Sequence, residues 1–101
     1  PIPTEIPLKL PKIFLSKERG RRLDMIRVIN SIFELGFFVD ENGRKSNKKD
    51  VFAVFGHAMN VDLSNYSHDL SSSLTDSTSM NKHLKIFEDM LDMMKKIFNL
   101  A

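Results

Sequence analysis

The stretch MNKHLKIFEDMLDMMKKIF, Met80 to Phe98, constrains the fold more than any other part of the chain. Met80, Leu84, Phe87, Leu91, Met94 and Phe98 recur at spacings of four and three, the period of one helical face. Ile86, Met90, Met93 and Ile97 form a second stripe beside the first. Together the stripes span an arc of roughly 200°, where a single core contact needs roughly 100°. Lys85, Glu88, Asp89, Asp92, Lys95, Lys96 and Asn99 take the rest. A helix this apolar has to lie in a groove between other helices or share its face with a second subunit. Methionine serves both uses, as core filler and as adaptable partner surface.

The rest of the chain supplies the other helices. Leu23, Ile26, Ile29, Ile32 and Phe33 fall on one side of a predicted helix from about Arg19 to Leu35. Ser16 precedes its charged start, and Gly36 stands where a left-handed residue would end it. After the apolar run Phe37-Phe38-Val39, Asn42-Gly43 is a turn signal that suits a two-residue hairpin. Asn47 is a good N-cap for a helix reaching about Met59, with Val51, Val54, Phe55 and Ala58 as its inner face. Gly56 within it invites a close helix contact. After a break at Asn60-Val61-Asp62, Asp62 caps a further helix. Leu63, Tyr66, Leu70 and Leu74 face inward from it; Ser64, Asn65, His68, Asp69, Ser71 and Ser72 face outward. SSSLTDSTS reads as a helix end and a polar loop. All four prolines lie in the first eleven residues, which predicts an extended arm over 1–18, with Leu8, Leu10, Ile13 and Leu15 along an edge strand or along the core. The expected fold is mainly α. A single domain over 19–101 carries four helices in a winged-helix or helix-turn-helix-like arrangement, with room for a small β-hairpin.

Composition narrows the function. A chain of 101 residues buries one modest core. No apolar run is long enough for a membrane span, and the N-terminus lacks the zones of a secretory signal. The chain opens on Pro1 and not on methionine, which fits a trimmed or excised piece. With zero cysteines there is no disulfide framework or thiol nucleophile, and a reducing cytoplasm is the expected location. His57, His68 and His83 do not pair at the i, i+4 spacing of a helical zinc site. No Gly-rich phosphate loop or paired-carboxylate signature occurs, so no enzyme activity, metal, cofactor or small-molecule ligand is expected.

Charge is uneven. Residues 1–50 hold eleven Lys/Arg against seven Asp/Glu; residues 51–101 hold four against six. Arg19, Arg21 and Arg22, with Lys17, form one basic cluster, and Arg44, Lys45, Lys48 and Lys49 the other. Clusters of this kind mark either a nucleic-acid face or plain solvated surface. On the first reading Arg19, Arg21, Arg22, Arg44, Lys45, Lys48 and Lys49 are the candidate DNA-phosphate contacts. The candidate base readers are Ser64, Asn65 and His68, residue types that hydrogen-bond base edges or phosphates. Their helix carries no Arg or Lys on its outer face, so phosphate neutralisation has to come from the two clusters.

From RRLDMIRVINSIFELGFF through DENGRKSNKKDVFAVFGHAMNVDLSNY to KHLKIFEDMLDMM, the chain resembles the C-terminal part of RteC-type proteins, regulators of excision carried by conjugative transposons. The resemblance covers roughly residues 13–95, and NVDLSNY is its most specific phrase. It implies a helical domain of winged-helix character that binds double-stranded promoter DNA and regulates transcription. By position, the helix holding Asn65 and His68 corresponds to the recognition helix, and Asn42 to Lys45 to the wing. Two departures stand out. Family members carry several Arg and Lys after the matching tyrosine, where this chain has SHDLSSSLTDSTS, and a typical Trp before the first helix is absent. The other reading, from a different class, is a helical interaction or dimerisation module without DNA binding. Its candidate face is Met80, Leu84, Phe87, Met90, Leu91, Met94 and Phe98 on the C-terminal helix.

Overall fold

In the computed structural model, residues 10–73 and 77–100 are described. Four helices follow in order: α1 Arg21–Glu34, α2 Lys48–Met59, α3 Tyr66–Ser73 and α4 Ser77–Leu100. The mainly helical class expected from the periodicity is the one observed. Leu8, Leu74 and the first nine residues of the proline-rich arm lie outside the described residues. So does the side chain of Met80.

Helix α1 starts two residues later than expected. Gly20 takes a left-handed φ of 87° and leaves the helix without a side-chain cap. The Ser16 hydroxyl instead accepts from the Glu18 N–H, in a turn just before the helix. The other end follows the sequence signal. Gly36 has φ +83°, its N–H donates to the Phe33 carbonyl, and the Phe37 N–H donates to Ile32. That pair of bonds is a Schellman motif, which satisfies carbonyls the helix would otherwise strand.

The loop to α2 turns, though not as the two-residue hairpin that Asn42-Gly43 foretold. The Gly43 N–H donates to Asp40, and the Asp40 carboxylate accepts from the N–H groups of Asn42 and Arg44. Gly43 alone has positive φ here, whereas a type I′ turn needs it at both central residues. The turn is therefore a three-residue loop closed by Asp40. Among the described residues it leads to one antiparallel bridge, Val39 to Lys45, and to no strand.

Helix α2 is capped as expected, the Asn47 side chain accepting from the Lys49 N–H at 2.8 Å. Its inner face differs from the expected one. Val51, Phe52, Gly56 and Met59 are buried and Phe55 is half-buried, while Val54 and Ala58 are exposed. Two adjacent stripes run along this helix, and Phe52 decides between them. Its ring stacks on Tyr66 at 4.2 Å between centroids, a contact that Val54 does not provide.

The segment joining α2 and α3 covers residues 60–65, longer than the expected break at Asn60–Asp62. Asn60 has φ 54°, and the N–H groups of Asn60 and Val61 close a second Schellman motif on His57 and Gly56. Asp62 accepts from the Ser64 N–H, so it caps a turn and not the helix, which begins at Tyr66. The core is small: Ile26, Ile29 and Phe33 of α1, Val51, Phe52 and Met59 of α2, and Leu63 of the turn. Of residues 10–15 only Leu15 packs on this core, while Leu10 and Ile13, expected along an edge strand or the core, are exposed. The Leu15 N–H donates to Met59, and the Asn60 side-chain amide donates to the Ile13 carbonyl.

Helix α4 rests on α1 and α3 through its first half, where His83, Ile86 and Phe87 are half-buried. Among the described residues it contributes nothing to the buried core. Much of the wide apolar arc is thus left uncovered within one chain.

Candidate nucleic-acid interface

Two grooves flank the α2–α3 turn. The first, about 370 Å³, has a floor of Phe52, Gly56, Leu63 and Tyr66 and a rim that includes Lys49, His57, Asp62, Ser64 and Ser67. Lys49, Ala53, Gly56 and His57 share one side of α2 by helical spacing, so the same geometry that buries Phe52 brings a cation from the first turn and an imidazole from the last to one rim. The second groove, also about 370 Å³, is lined by Lys17, Arg19, Arg22 and Asn60 among others. Val61 lines both grooves, so the first basic cluster and the α2–α3 unit meet at this turn.

The candidate base readers are placed unevenly. Ser64 and Asn65 lie in the turn before α3, and only His68 is on the helix. All three are exposed. Ser64 is partly committed: its N–H donates to the Asp62 carboxylate at 2.9 Å, and its hydroxyl first and that N–H second hold the carboxyl below its ordinary pKa. Ser67, which the sequence reading did not single out, lies on the groove where His68 does not. Its position three residues after Ser64 is the only signal that pointed to it. Asp69, expected on the outer face, turns inward. Its carboxylate meets Arg22 at 2.9 Å with a side chain only 14% exposed.

The basic residues divide by partner. Arg22 is held by Asp69, Arg21 by Glu18 and Asp24, and Lys48 by Glu34 at 3.1 Å. Lys45 and Lys48 both lie over the Phe33 ring, at 5.0 and 5.4 Å from its centroid. Arg19, Arg44, Lys45 and Lys49 are exposed and make no ion pair among the described residues. The second cluster is therefore split, with Lys49 on the groove and Lys45 and Lys48 folded onto the end of α1.

On the candidate interaction face, Leu84, Met90, Leu91, Met94 and Phe98 are exposed, as are Met93 and Ile97 of the second stripe. Phe87 is half-buried against the body. Between α1 and α4, Arg27 Nη2 lies 3.4 Å from His83 Nε2. Guanidinium only donates, so Nε2 accepts and the ring proton sits on Nδ1. Burial first, and the Arg27 charge second, hold His83 below its ordinary pKa of 6.5. Among the described residues, no group of three His, Cys, Asp or Glu is placed to hold a metal ion, and no helix is long and apolar enough to cross a membrane.

Comparison with known proteins returns no match to a family model, a curated protein or a solved structure. What is defined is a class by architecture alone: a small, mainly helical domain with basic residues of α2 and of the segment leading into α1 on grooves beside the α2–α3 turn, and a long helix of exposed apolar side chains.

Proposed function

We propose that the chain binds double-stranded DNA through the α2–α3 unit, as a transcription-regulator-like protein. The observation that carries this reading is the meeting at Val61 of two grooves, one edged by Lys49, His57, Ser64 and Ser67 with one carboxylate, Asp62, the other by Lys17, Arg19 and Arg22 with one carboxylate, Glu18, which pairs with Arg21. Cations on both sides of a turn that presents Ser64 and Asn65, with His68 on the helix after it, suit a protein that grips phosphates and offers short polar side chains to base edges. On this reading Arg19, Arg44, Lys45 and Lys49 hold phosphates, and Asn65, His68 and Ser67 stand nearest the bases. The loop Asn42 to Lys45 takes the place of a wing. The resemblance to the C-terminal part of RteC-type regulators supports the same reading and adds the finer one, a winged-helix regulator from a mobile genetic element.

Fluorescence anisotropy with a random-sequence duplex, across about 50 to 200 mM salt, tests it, because the slope of log affinity on log salt counts phosphate contacts. Lys49→Ala and Arg19→Ala are each expected to lower that slope by about one. Arg21→Ala is expected to leave it unchanged, since Arg21 is already turned to Glu18 and Asp24. Absence of binding at the lowest salt would refute the proposal. A second reading, an interaction module without DNA binding, is favoured by one observation: residues 88–99 of α4 are all exposed, apolar and charged alike.

A further inference from the structure

The exposed half of α4 has the pattern of a helix that pairs. Leu84, Phe87, Leu91, Met94 and Phe98 keep strict alternation of three and four, the a and d positions of a heptad. Leu91, Met94 and Phe98 are 56%, 46% and 70% exposed, and Met90, Met93 and Ile97 beside them are about half exposed. Those at the seam, Met90, Leu91, Met94, Ile97 and Phe98, leave on the order of 500 Å² uncovered per chain, below the roughly 800 Å² per partner of a standard interface and of the size of a weak, reversible pair.

We infer that this face is covered by the same face of a second copy, in an antiparallel pair of α4 helices related by a two-fold axis between Asp92 and Met93. One axis pairs four of the five heptad positions at once, leaving Leu84 at the edge. It sets Leu91 opposite Met94 and Phe87 opposite Phe98, each twice. On one flank Glu88 faces the partner's Lys95 and Lys95 faces the partner's Glu88. On the other flank Met90 and Ile97 face each other across the axis. A parallel pair would set Glu88 beside the partner's His83, and Lys95 beside Met90, with no such charge match. It would also crowd the two bodies, because α1 and α3 pack on the first half of α4. The antiparallel pair puts the bodies at opposite ends. Its interface is isologous and closes on itself.

This deepens the reading of α4 as an interaction surface, and the test separates the two. Sedimentation of the full chain across micromolar concentrations is expected to give a reversible dimer. Leu91→Glu, at a site already exposed in the single chain, is expected to give a monomer with an unchanged circular dichroism spectrum. Glu88→Lys is expected to raise the dimer Kd roughly tenfold by setting like charges together, and adding Lys95→Glu to restore it. The chain has no cysteine, so single ones report orientation. A short bis-maleimide is expected to join Glu88→Cys to Lys95→Cys chains in a mixture, and neither variant efficiently to itself. A Leu91-dependent dimer that links Glu88→Cys to itself would overturn the antiparallel pair and leave an interaction surface standing. A monomer at every concentration, or a dimer indifferent to Leu91→Glu, would overturn both. Binding of a monomeric chain to anionic lipid vesicles would overturn the pair too, by naming a different cover for the face.

Discussion

At Gly56 a single hydrogen atom decides how closely two pieces of backbone approach. A Cβ built there lies 2.7 Å from the Val61 carbonyl oxygen, and that oxygen belongs to the backbone of the turn. The neighbour is thus the α2–α3 connection, not a second helix as the sequence reading supposed. Gly56→Ala gains up to about 1 kcal/mol of helix propensity but incurs overpacking of about 1–3 kcal/mol in a motif that closes on the Gly56 carbonyl. A net loss of about 1 kcal/mol is expected. It would lower Tm by about 4–8 °C in a domain of this size, readable by calorimetry. Asn60 complements it. It is the one non-glycine residue with positive φ among the described residues, and its side-chain amide holds the Ile13 carbonyl. Asn60→Gly keeps the conformation and loses the bond, while Asn60→Ala loses both. The alanine variant is expected to be the less stable by roughly 1 kcal/mol in urea unfolding.

At the level of elements, what was legible in the sequence is what local chemistry determines. Gly36 ends α1 and Asn47 starts α2 because a left-handed glycine and a side-chain acceptor act on their immediate neighbours. The inner face of α2 was not legible, because Val51 and Phe55 belong to either of two adjacent stripes. The choice fell to the Phe52–Tyr66 stack, made by a residue beyond the next turn. The start of α3 failed for a related reason: an aspartate before a helix and an aspartate in an Asx turn look alike in sequence. Asp69 is paired with Arg22, 47 residues away, and no periodicity reveals such a partner. The α1–α4 contact carries an expected pH dependence. His83, depressed below 6.5 by burial and Arg27, takes a proton more readily in the unfolded chain than in the folded one. Stability is therefore full above about pH 6.5 and falls as pH drops through that range toward the folded value. Urea midpoints at pH 7.5 and 5.5 are expected to differ in that direction, and His83→Gln is expected to shrink the difference. Asp62, depressed from 3.8, acts only at lower pH and leaves this window clear.

Across the whole molecule, the parts that hold the fold and the parts that present surface are separate along the chain. Among the described residues, the seven that are buried in the core lie from Ile26 to Leu63. Residues 88–99 of α4 are exposed, on a helix of 24 residues, or about 36 Å. Ending the chain after Met90 keeps His83, Ile86 and Phe87, the half-buried residues that rest on α1 and α3. The shortened chain is expected to unfold cooperatively at micromolar concentration, with a Tm within a few degrees of the full chain's monomer. A collapse of Tm would instead make the outer half of α4 part of the fold, and its exposure would then be no sign of a partner. The same truncation links the two proposals. A two-fold pair presents two α2–α3 units in opposite senses, so it favours an inverted repeat over a single site. The two units are joined by two helices of fixed length, which sets one spacing between the half-sites. On a duplex carrying that repeat, the truncated chain is expected to lose affinity by about 100-fold, the gain that linking two sites confers. On a duplex with a single half-site it is expected to bind as the full chain does. Equal affinity of both chains on every inverted repeat, whatever the spacing, would mean that pairing through α4 and binding through α2–α3 are unconnected.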